Sequence, residues 1–149
     1  MKIETKFHGK QEVAAKDIIN FESGLPGFPN EKEFCILPMA DTPFLVLQSF
    51  ETTEVAFIIM DPFQIFPDYE FDLPDEVLEA LQVAAKKDII IFVILTVQEP
   101  FEKTTANLQA PIILNQTNNK AKQYIINRSP YTTKHLIIQP PVQSGQEVK

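Results

Sequence analysis

Short apolar or alternating runs, separated by turn residues, recur along most of this chain. Their period-two pattern and their β-branched residues indicate strands. Prolines stand at or just outside the ends of these runs, as expected for a residue that donates no hydrogen bond to a sheet. The predicted strands are 2–7, 11–21 with a break near Lys16, 33–37, 44–50, 55–60, 89–97, 112–115, 121–127 and 134–138. So many short strands indicate a β-rich fold.

Residues 74 to about 86 are predicted to form the one clear helix. Pro74 suits its first turn, acidic residues follow at the positive end, and lysines stand at the negative end. One apolar stripe would face a core, and it consists of Val77, Leu78, Leu81, Ala84 and Ala85. A second, weaker helical turn is predicted at 104–108. Strands and helices do not alternate, so the sequence predicts an all-β fold, a small antiparallel β-barrel-like domain with one covering helix.

The length of 149 residues fits one domain, which we expect to span 1–139. Residues 140–149 are polar with proline and glycine, and a flexible tail is expected there. The longest apolar run, 89–95, is far shorter than the roughly 20 residues of a membrane helix. The first eleven residues contain no apolar stretch of signal-peptide length. A cytoplasmic protein without a membrane partner is therefore expected.

The net charge of −7 is unevenly distributed. No lysine or arginine occurs in 33–85, whereas eleven acidic residues do. We call this stretch the acidic block. It would repel a phosphate backbone and attract a basic protein surface, so direct binding of nucleic acid is not expected. The block could also serve solubility alone.

Residues suited to catalysis or to metal binding are scarce. Cys35 is the single cysteine, which excludes an internal disulfide, and its apolar strand predicts a core residue. With only His8 and His135 as imidazoles, no structural zinc set can be assembled. His135 is expected to be a surface or hydrogen-bonding residue. The sequence therefore predicts no catalytic residues, no metal and no cofactor.

Two segments have unusual turn or aromatic content. Residues 24–29 combine two glycines with two prolines, which predicts a stiff, shaped loop between strands. Residues 61–71, here called the aromatic segment, interleave four aromatic side chains with acids and prolines. These aromatics either cap the barrel or lie on the surface as anchors for a partner.

The chain resembles the bacterial flagellar assembly factor family, FliW, over about residues 3–138. The resemblance depends on Phe-Glu-Ser-Gly-Leu-Pro-Gly-Phe at 21–28, on 44–49 leading to Asp61-Pro62, and on Asn-Leu-Gln-Ala-Pro at 107–111 before a β run. Gln123 and residues 131–135 extend it. The motif positions to which we assign structural roles are Gly24, Leu25, Pro26, Gly27, Phe28, Asn107, Pro111 and Asn115.

The resemblance implies a small cytoplasmic β-barrel-like protein without enzymatic activity and with two protein partners. One is newly made flagellin, and the other is the RNA-binding translational repressor CsrA. In that family the free protein sequesters the repressor and permits flagellin translation, while flagellin competes the repressor away. The acidic block is consistent with a basic partner.

We expect the partner surface at 63–79, where aromatics and acidic residues coincide. The predicted partner-binding residues are Phe63, Phe66, Asp68, Tyr69, Glu70 and Asp72. A competing hypothesis is a barrel that binds a small ligand or a flavin in its mouth. No basic residue stands near a phosphate-holding loop to support it.

Overall fold

A computed structural model describes residues 1–138 of the chain. The strands are β1 (Lys2–Thr5), β2 (Gly9–Glu12), β3 (Ile19–Phe21), β4 (Glu33–Pro38), β5 (Leu45–Ser49), β6 (Ala56–Met60), β7 (Ile89–Thr96), β8 (Thr105–Ala106), β9 (Ile112–Asn115), β10 (Lys120–Gln123) and β11 (His135–Leu136). Helix α1 is Asp75–Ala80, and single 3-10 turns are Ala15–Asp17, Pro62–Gln64, Lys86–Asp88 and Phe101–Lys103. The predicted tail, 140–149, lies outside the described residues.

Seven of these strands close into a barrel. Around it they follow the order β7, β6, β5, β4, β3, β10 and β9, and β9 pairs back onto β7. Six of the seven pairings are antiparallel, while β3 and β10 run parallel over two residue pairs. The predicted all-β barrel with one helix is confirmed, but the sequence pattern did not indicate the parallel seam.

The barrel lumen is filled by apolar side chains from all seven strands. Along β7 the residues alternate, with Ile90 and Phe92 pointing inward and Ile91 and Val93 packing on the outer face. The lumen cluster consists of Ile19, Phe21, Leu25, Phe34, Leu47, Ile59, Phe92, Ile112, Leu114 and Ala121. Each fully buried large side chain contributes about 1.5–3 kcal/mol to folding.

The outer faces of the barrel are covered by three further layers. The aromatic segment, β8 and β11 cover the outer face of β6 and β7. Helix α1 and the residue that follows it place Val77 and Leu81 on Ile113 of β9. The β1–β2 hairpin covers Cys35 of β4, which is 1% exposed, so the predicted core position of the cysteine is confirmed. Burial, and next the nearby Asp17 carboxylate, raise the pKa of the Cys35 thiol to about 11.

Helix α1 ends earlier than predicted, at Ala80 instead of about residue 86. Gln82 has a positive φ of 55° and donates its N–H to Glu79, while the N–H of Val83 bonds the carbonyl of Leu78. This is the Schellman pattern of a helix end. The side chain of Asn115 donates to the carbonyls of Leu81 and Gln82 at 2.9 and 3.2 Å. A tertiary contact from β9 therefore satisfies the helix end, which local sequence does not reveal.

Residues 104–108 form no helical turn, so that prediction is wrong. Thr105 and Ala106 pair with the end of β7 and with β11 as strand β8. The N–H of Asn107 then bonds the carbonyl of Ile94. The predicted strand at 11–21 is broken as expected near Lys16 by a 3-10 turn. The predicted strands at 121–127 and 134–138 are shorter in the structure, at Lys120–Gln123 and His135–Leu136.

The glycine- and proline-rich loop is a tight hairpin turn. Leu25 and Phe28 exchange both main-chain hydrogen bonds across Pro26 and Gly27, and Gly27 has a φ of 84°. Leu25 is buried in the lumen cluster, and the Phe28 ring packs edge-on against Phe57 with centroids 5.5 Å apart. The predicted shaped loop therefore closes one end of the barrel.

Replacing Gly24 should destabilise the fold strongly. Gly24 has a φ of 68°, and a Cβ there would lie 2.6 Å from the carbonyl oxygens of Phe28 and Pro29. We expect Gly24→Ala to lower the free energy of unfolding by at least about 1–3 kcal/mol, measured by urea denaturation. The matched control is Gly27→Ala, which has a positive φ but open space around the new Cβ. Equal losses in both variants would contradict the close approach at Gly24.

Asn107 is expected to act by holding the loop before β9. Its side-chain Oδ1 accepts the N–H groups of Gln109 and Ala110, both at 3.1 Å. We expect Asn107→Ala to lower the free energy of unfolding by about 1–2 kcal/mol, since both donors lose their acceptor. Asn107→Asp retains an acceptor oxygen and should lose less in the same denaturation series. An alanine variant as stable as the parent would refute this role.

Candidate partner-binding surface

The acidic block lies almost entirely on the surface. Ten of its eleven carboxylate residues are exposed, and Asp61 is partly buried. Within residues 1–138 the ion pairs are those of Glu12 with the N-terminal amine and of Glu4 with Lys10. None of the block's carboxylates is therefore neutralised by a described cation. Unpaired surface carboxylates attract a basic partner over a distance set by ionic strength.

The aromatic segment is fixed in place by local hydrogen bonds. The Asp61 carboxylate accepts the N–H of Phe63 at 2.9 Å, and Pro62 begins a 3-10 turn. The N–H of Phe66 then bonds the carbonyl of Pro62 at 2.8 Å. These bonds fold the segment into a cover over the outer face of β6 and β7.

Within this segment, the Tyr69 side chain points toward the barrel and is not exposed as a surface anchor. It is 4% exposed, and its hydroxyl donates to the carbonyl of Leu108 at 2.6 Å. Its ring contacts Tyr131 and Phe71 with centroids 4.7 and 5.4 Å apart. Burial, and next Tyr131, raise the pKa of the Tyr69 hydroxyl, so it stays protonated. Of the two alternatives for these aromatics, the burial of Tyr69 favours capping of a core, and its assignment as a partner-binding residue stays a prediction.

The other predicted partner-binding residues divide by exposure. Asp68, Glu70 and Asp72 are exposed, and Phe63 is 43% exposed. Phe66 is half-buried, with its ring 6.2 Å from that of His135. The ring nitrogen Nε2 of His135 in turn accepts the N–H of Thr132. The structure thus brings Phe63 and three carboxylates to the surface around a buried tyrosine.

A groove of about 400 Å³ runs beside these carboxylates. One wall is the stretch 70–74, and the other is 126–131, which the sequence pattern did not associate with the site. The Tyr131 hydroxyl accepts the N–H of Glu70 at 3.0 Å and joins the two walls. Residues 124–127 were expected within a strand. Beyond the end of β10, Ile125 and Asn127 are exposed while Ile126 is buried, and an apolar run alone does not indicate this division.

A second cleft, of about 390 Å³, has the opposite charge. It is lined by the paired residues of β3 and β10 and by the end of helix α1. Lys32, Lys120 and Lys122 line it together with Glu22, so the charged side chains of the lining are net positive. The surface therefore carries both an acidic face and a local basic cleft.

Two further findings bear on the site. Across residues 1–138 no group of three His, Cys, Asp or Glu side chains is placed to hold a metal ion. In the same range, no helix has the length and apolar character needed to cross a membrane.

Comparison with known proteins defines the class. A family model described as FliW protein matches residues 2–137. Flagellar assembly factor FliW of Geobacillus thermodenitrificans (strain NG80-2) is 51% identical over 135 residues, covering 91% of this chain and 94% of that protein. Flagellar assembly factor FliW of Bacillus subtilis (strain 168) is 50% identical over 138 residues, covering 92% and 96%.

A solved structure agrees with the sequence relatives. The crystal structure of a flagellar assembly factor FliW superposes with a TM-score of 0.91 at 47% identity, covering 95% of this chain and 100% of that one. The fold and these similarities define a small β-barrel assembly factor of the flagellum. The chain belongs to the FliW family of flagellar assembly factors.

Substituting Tyr69 should chiefly lower the stability of the fold. We expect Tyr69→Phe to lower the free energy of unfolding by about 1–3 kcal/mol because the Leu108 carbonyl loses its donor. Tyr69→Ala should lose about 3–5 kcal/mol through the cavity it leaves. Urea denaturation measures both. The control is Tyr124→Phe, since the Tyr124 hydroxyl bonds no residue within 1–138. Tyr69→Phe with parental stability would contradict the capping role.

Proposed function

We propose that the protein binds flagellin and antagonises a CsrA-type translational repressor in the cytoplasm. The observation that supports this most directly is the set of exposed, unpaired carboxylates around the aromatic segment. A repressor that binds RNA must present basic surface, and carboxylates without a neighbouring cation are available to it. The same carboxylates would keep RNA away from the complex.

The proposed interaction combines steering with an apolar contact. Asp68, Glu70 and Asp72 would raise the association rate, because rim charges act mainly on diffusional encounter. Phe63, at 43% exposure, is the aromatic side chain nearest to them in sequence that remains available to a partner. Its burial would slow dissociation.

Partner exchange follows as a proposed mechanism. The free protein holds the repressor and permits flagellin translation, and flagellin displaces the repressor when it accumulates. Titrating flagellin into a preformed complex of this protein with CsrA tests the exchange by size-exclusion chromatography. Release of free CsrA supports it, and a complex unaffected by excess flagellin contradicts it.

Binding, not catalysis, is the proposed mode of action. A thiolate nucleophile at Cys35 is disfavoured because burial raises its pKa to about 11. The competing hypothesis places a small ligand or a flavin in the mouth of the barrel. Packed side chains such as Phe21, Phe34 and Ile59 occupy the lumen, so a ligand in the mouth would have no room to extend inward.

Neutralising three carboxylates together tests the proposed surface. We expect Asp68→Asn, Glu70→Gln and Asp72→Asn in one variant to slow association with CsrA several-fold at low salt, with little change in dissociation. The difference should shrink as salt shortens the screening length to about 10 Å at 0.1 M. Stopped-flow or surface plasmon resonance measures both rates.

The matched control neutralises three exposed acids elsewhere, Glu22, Glu99 and Glu102, as their glutamine variants. It changes the net charge by the same amount but leaves the proposed surface intact. Equal slowing in both variants would show that net charge alone steers association. Stability of both variants should stay within about 0.5 kcal/mol per change, because the replaced groups lie on the surface.

A further inference from the structure

Residues 70–73 run along the surface without regular secondary structure and pair with no strand of the sheet. Phe71 and Leu73 pack against the apolar layer beneath, whereas Glu70 and Asp72 are exposed. The N–H groups of 71–73 and the carbonyls of 70–73 form no hydrogen bond with any residue in 1–138. The segment therefore alternates in and out like a strand and leaves its main-chain groups available, as the edge of a sheet does.

The space beside this segment suits a short stretch of chain. The groove of about 400 Å³ separates it from 126–131. Its floor includes the rings of Phe71 and Tyr124, which stack with centroids 6.4 Å apart. Tyr131 anchors one end through its bond to the N–H of Glu70. A rise of about 3.3 Å per residue means that four extended residues would span the segment.

The charges on this edge select among possible occupants. Glu70 and Asp72 stand two residues apart on the same side, about 7 Å along an extended chain. Neither is paired with a described cation. Carboxylates on an edge repel acidic strands and discourage indiscriminate pairing. The carboxylates of Glu70 and Asp72 are spaced to contact basic side chains at every second position of an incoming strand. Arg128, on the opposite wall, leaves a net negative lining.

We propose that this groove binds an extended, basic segment of a partner protein by strand addition along residues 70–73. Main-chain hydrogen bonds to alternate residues of 70–73, whose N–H and C=O groups point to the same edge of an extended chain, supply affinity. The carboxylates of Glu70 and Asp72 contact basic side chains at alternate positions. The inference rests on the proposed function only for its natural partner, since it specifies how a basic protein would dock.

A designed peptide tests this binding mode directly. The probe is acetyl-Val-Lys-Val-Lys-Val-amide, titrated into the full chain labelled with ¹⁵N. We expect the amide signals of 71–73 to shift on binding. A peptide with glutamate in place of lysine should bind about tenfold more weakly, because two attractive contacts become repulsive. A peptide methylated at alternate backbone nitrogens should also bind with about tenfold lower affinity, because its methylated nitrogens cannot donate hydrogen bonds.

Variants of the protein complete the experiment. The double variant Glu70→Gln with Asp72→Asn should bind the lysine peptide with about fivefold lower affinity. The control pair, Glu99→Gln with Glu102→Gln, should leave the affinity within about twofold, because both acids lie outside the groove. Equal affinity for the methylated peptide, or amide shifts confined to other segments, overturns strand addition. Equal affinity for the lysine and glutamate peptides overturns the selection of a basic segment.

Parallel binding assays with intact CsrA and flagellin separate the two proposals. If either partner binds but the lysine peptide does not, the groove inference is wrong and the proposed function stands. If the peptide binds as expected and neither protein does, the groove inference is supported and the proposed function fails.

Discussion

Strand β7 is the element on which the rest of the structure depends. One of its edges pairs with β6, and the other pairs first with β9 and then with β8. The pairing with β9 closes the barrel, while the pairing with β8 starts the outer extension. Both faces of β7 are covered, because Ile90 and Phe92 fill the lumen and Val93 and Leu95 pack beneath the aromatic segment. A strand covered on both faces needs apolar residues throughout, as residues 89–95 show.

The cover that β7 requires also creates the candidate surface. Val93 and Leu95 must be shielded from water, and the aromatic segment shields them with Tyr69, Phe66 and neighbouring side chains. Since side chains alternate along 70–73, burying Phe71 and Leu73 forces Glu70 and Asp72 outward. The acidic surface and the core beneath it are therefore two faces of one segment. Because inward and outward side chains alternate, substitutions of the inward residues test stability, and substitutions of Glu70 and Asp72 test partner binding.

Much of the fold could be predicted because its signals are local. Short apolar runs and flanking prolines indicated nearly every strand, and the turn at Pro26-Gly27 follows from its residues. The predictions were wrong where contacts with residues distant in sequence determine the local structure. Helix α1 stops at Ala80, where Gln82 has a positive φ and Asn115 of β9 bonds the carbonyls of Leu81 and Gln82. Strand β8 pairs with the edge of β7 that is left free at Leu95. In the site, no pattern within 61–71 could show that Tyr69 reaches Leu108.

The unpaired carboxylates and the groove beside 70–73 would have different roles in the proposed partner exchange. Unpaired carboxylates contribute attraction that decays with salt, so they speed encounter with any basic protein but discriminate weakly between partners. Discrimination needs contacts that depend on shape, and the groove beside 70–73 offers main-chain groups of fixed spacing next to Phe71 and Tyr124. A partner with basic charge but no segment able to extend would arrive quickly and leave quickly. In the proposed partner exchange, charge would determine how fast partners sample the surface, and the groove would determine which partner stays.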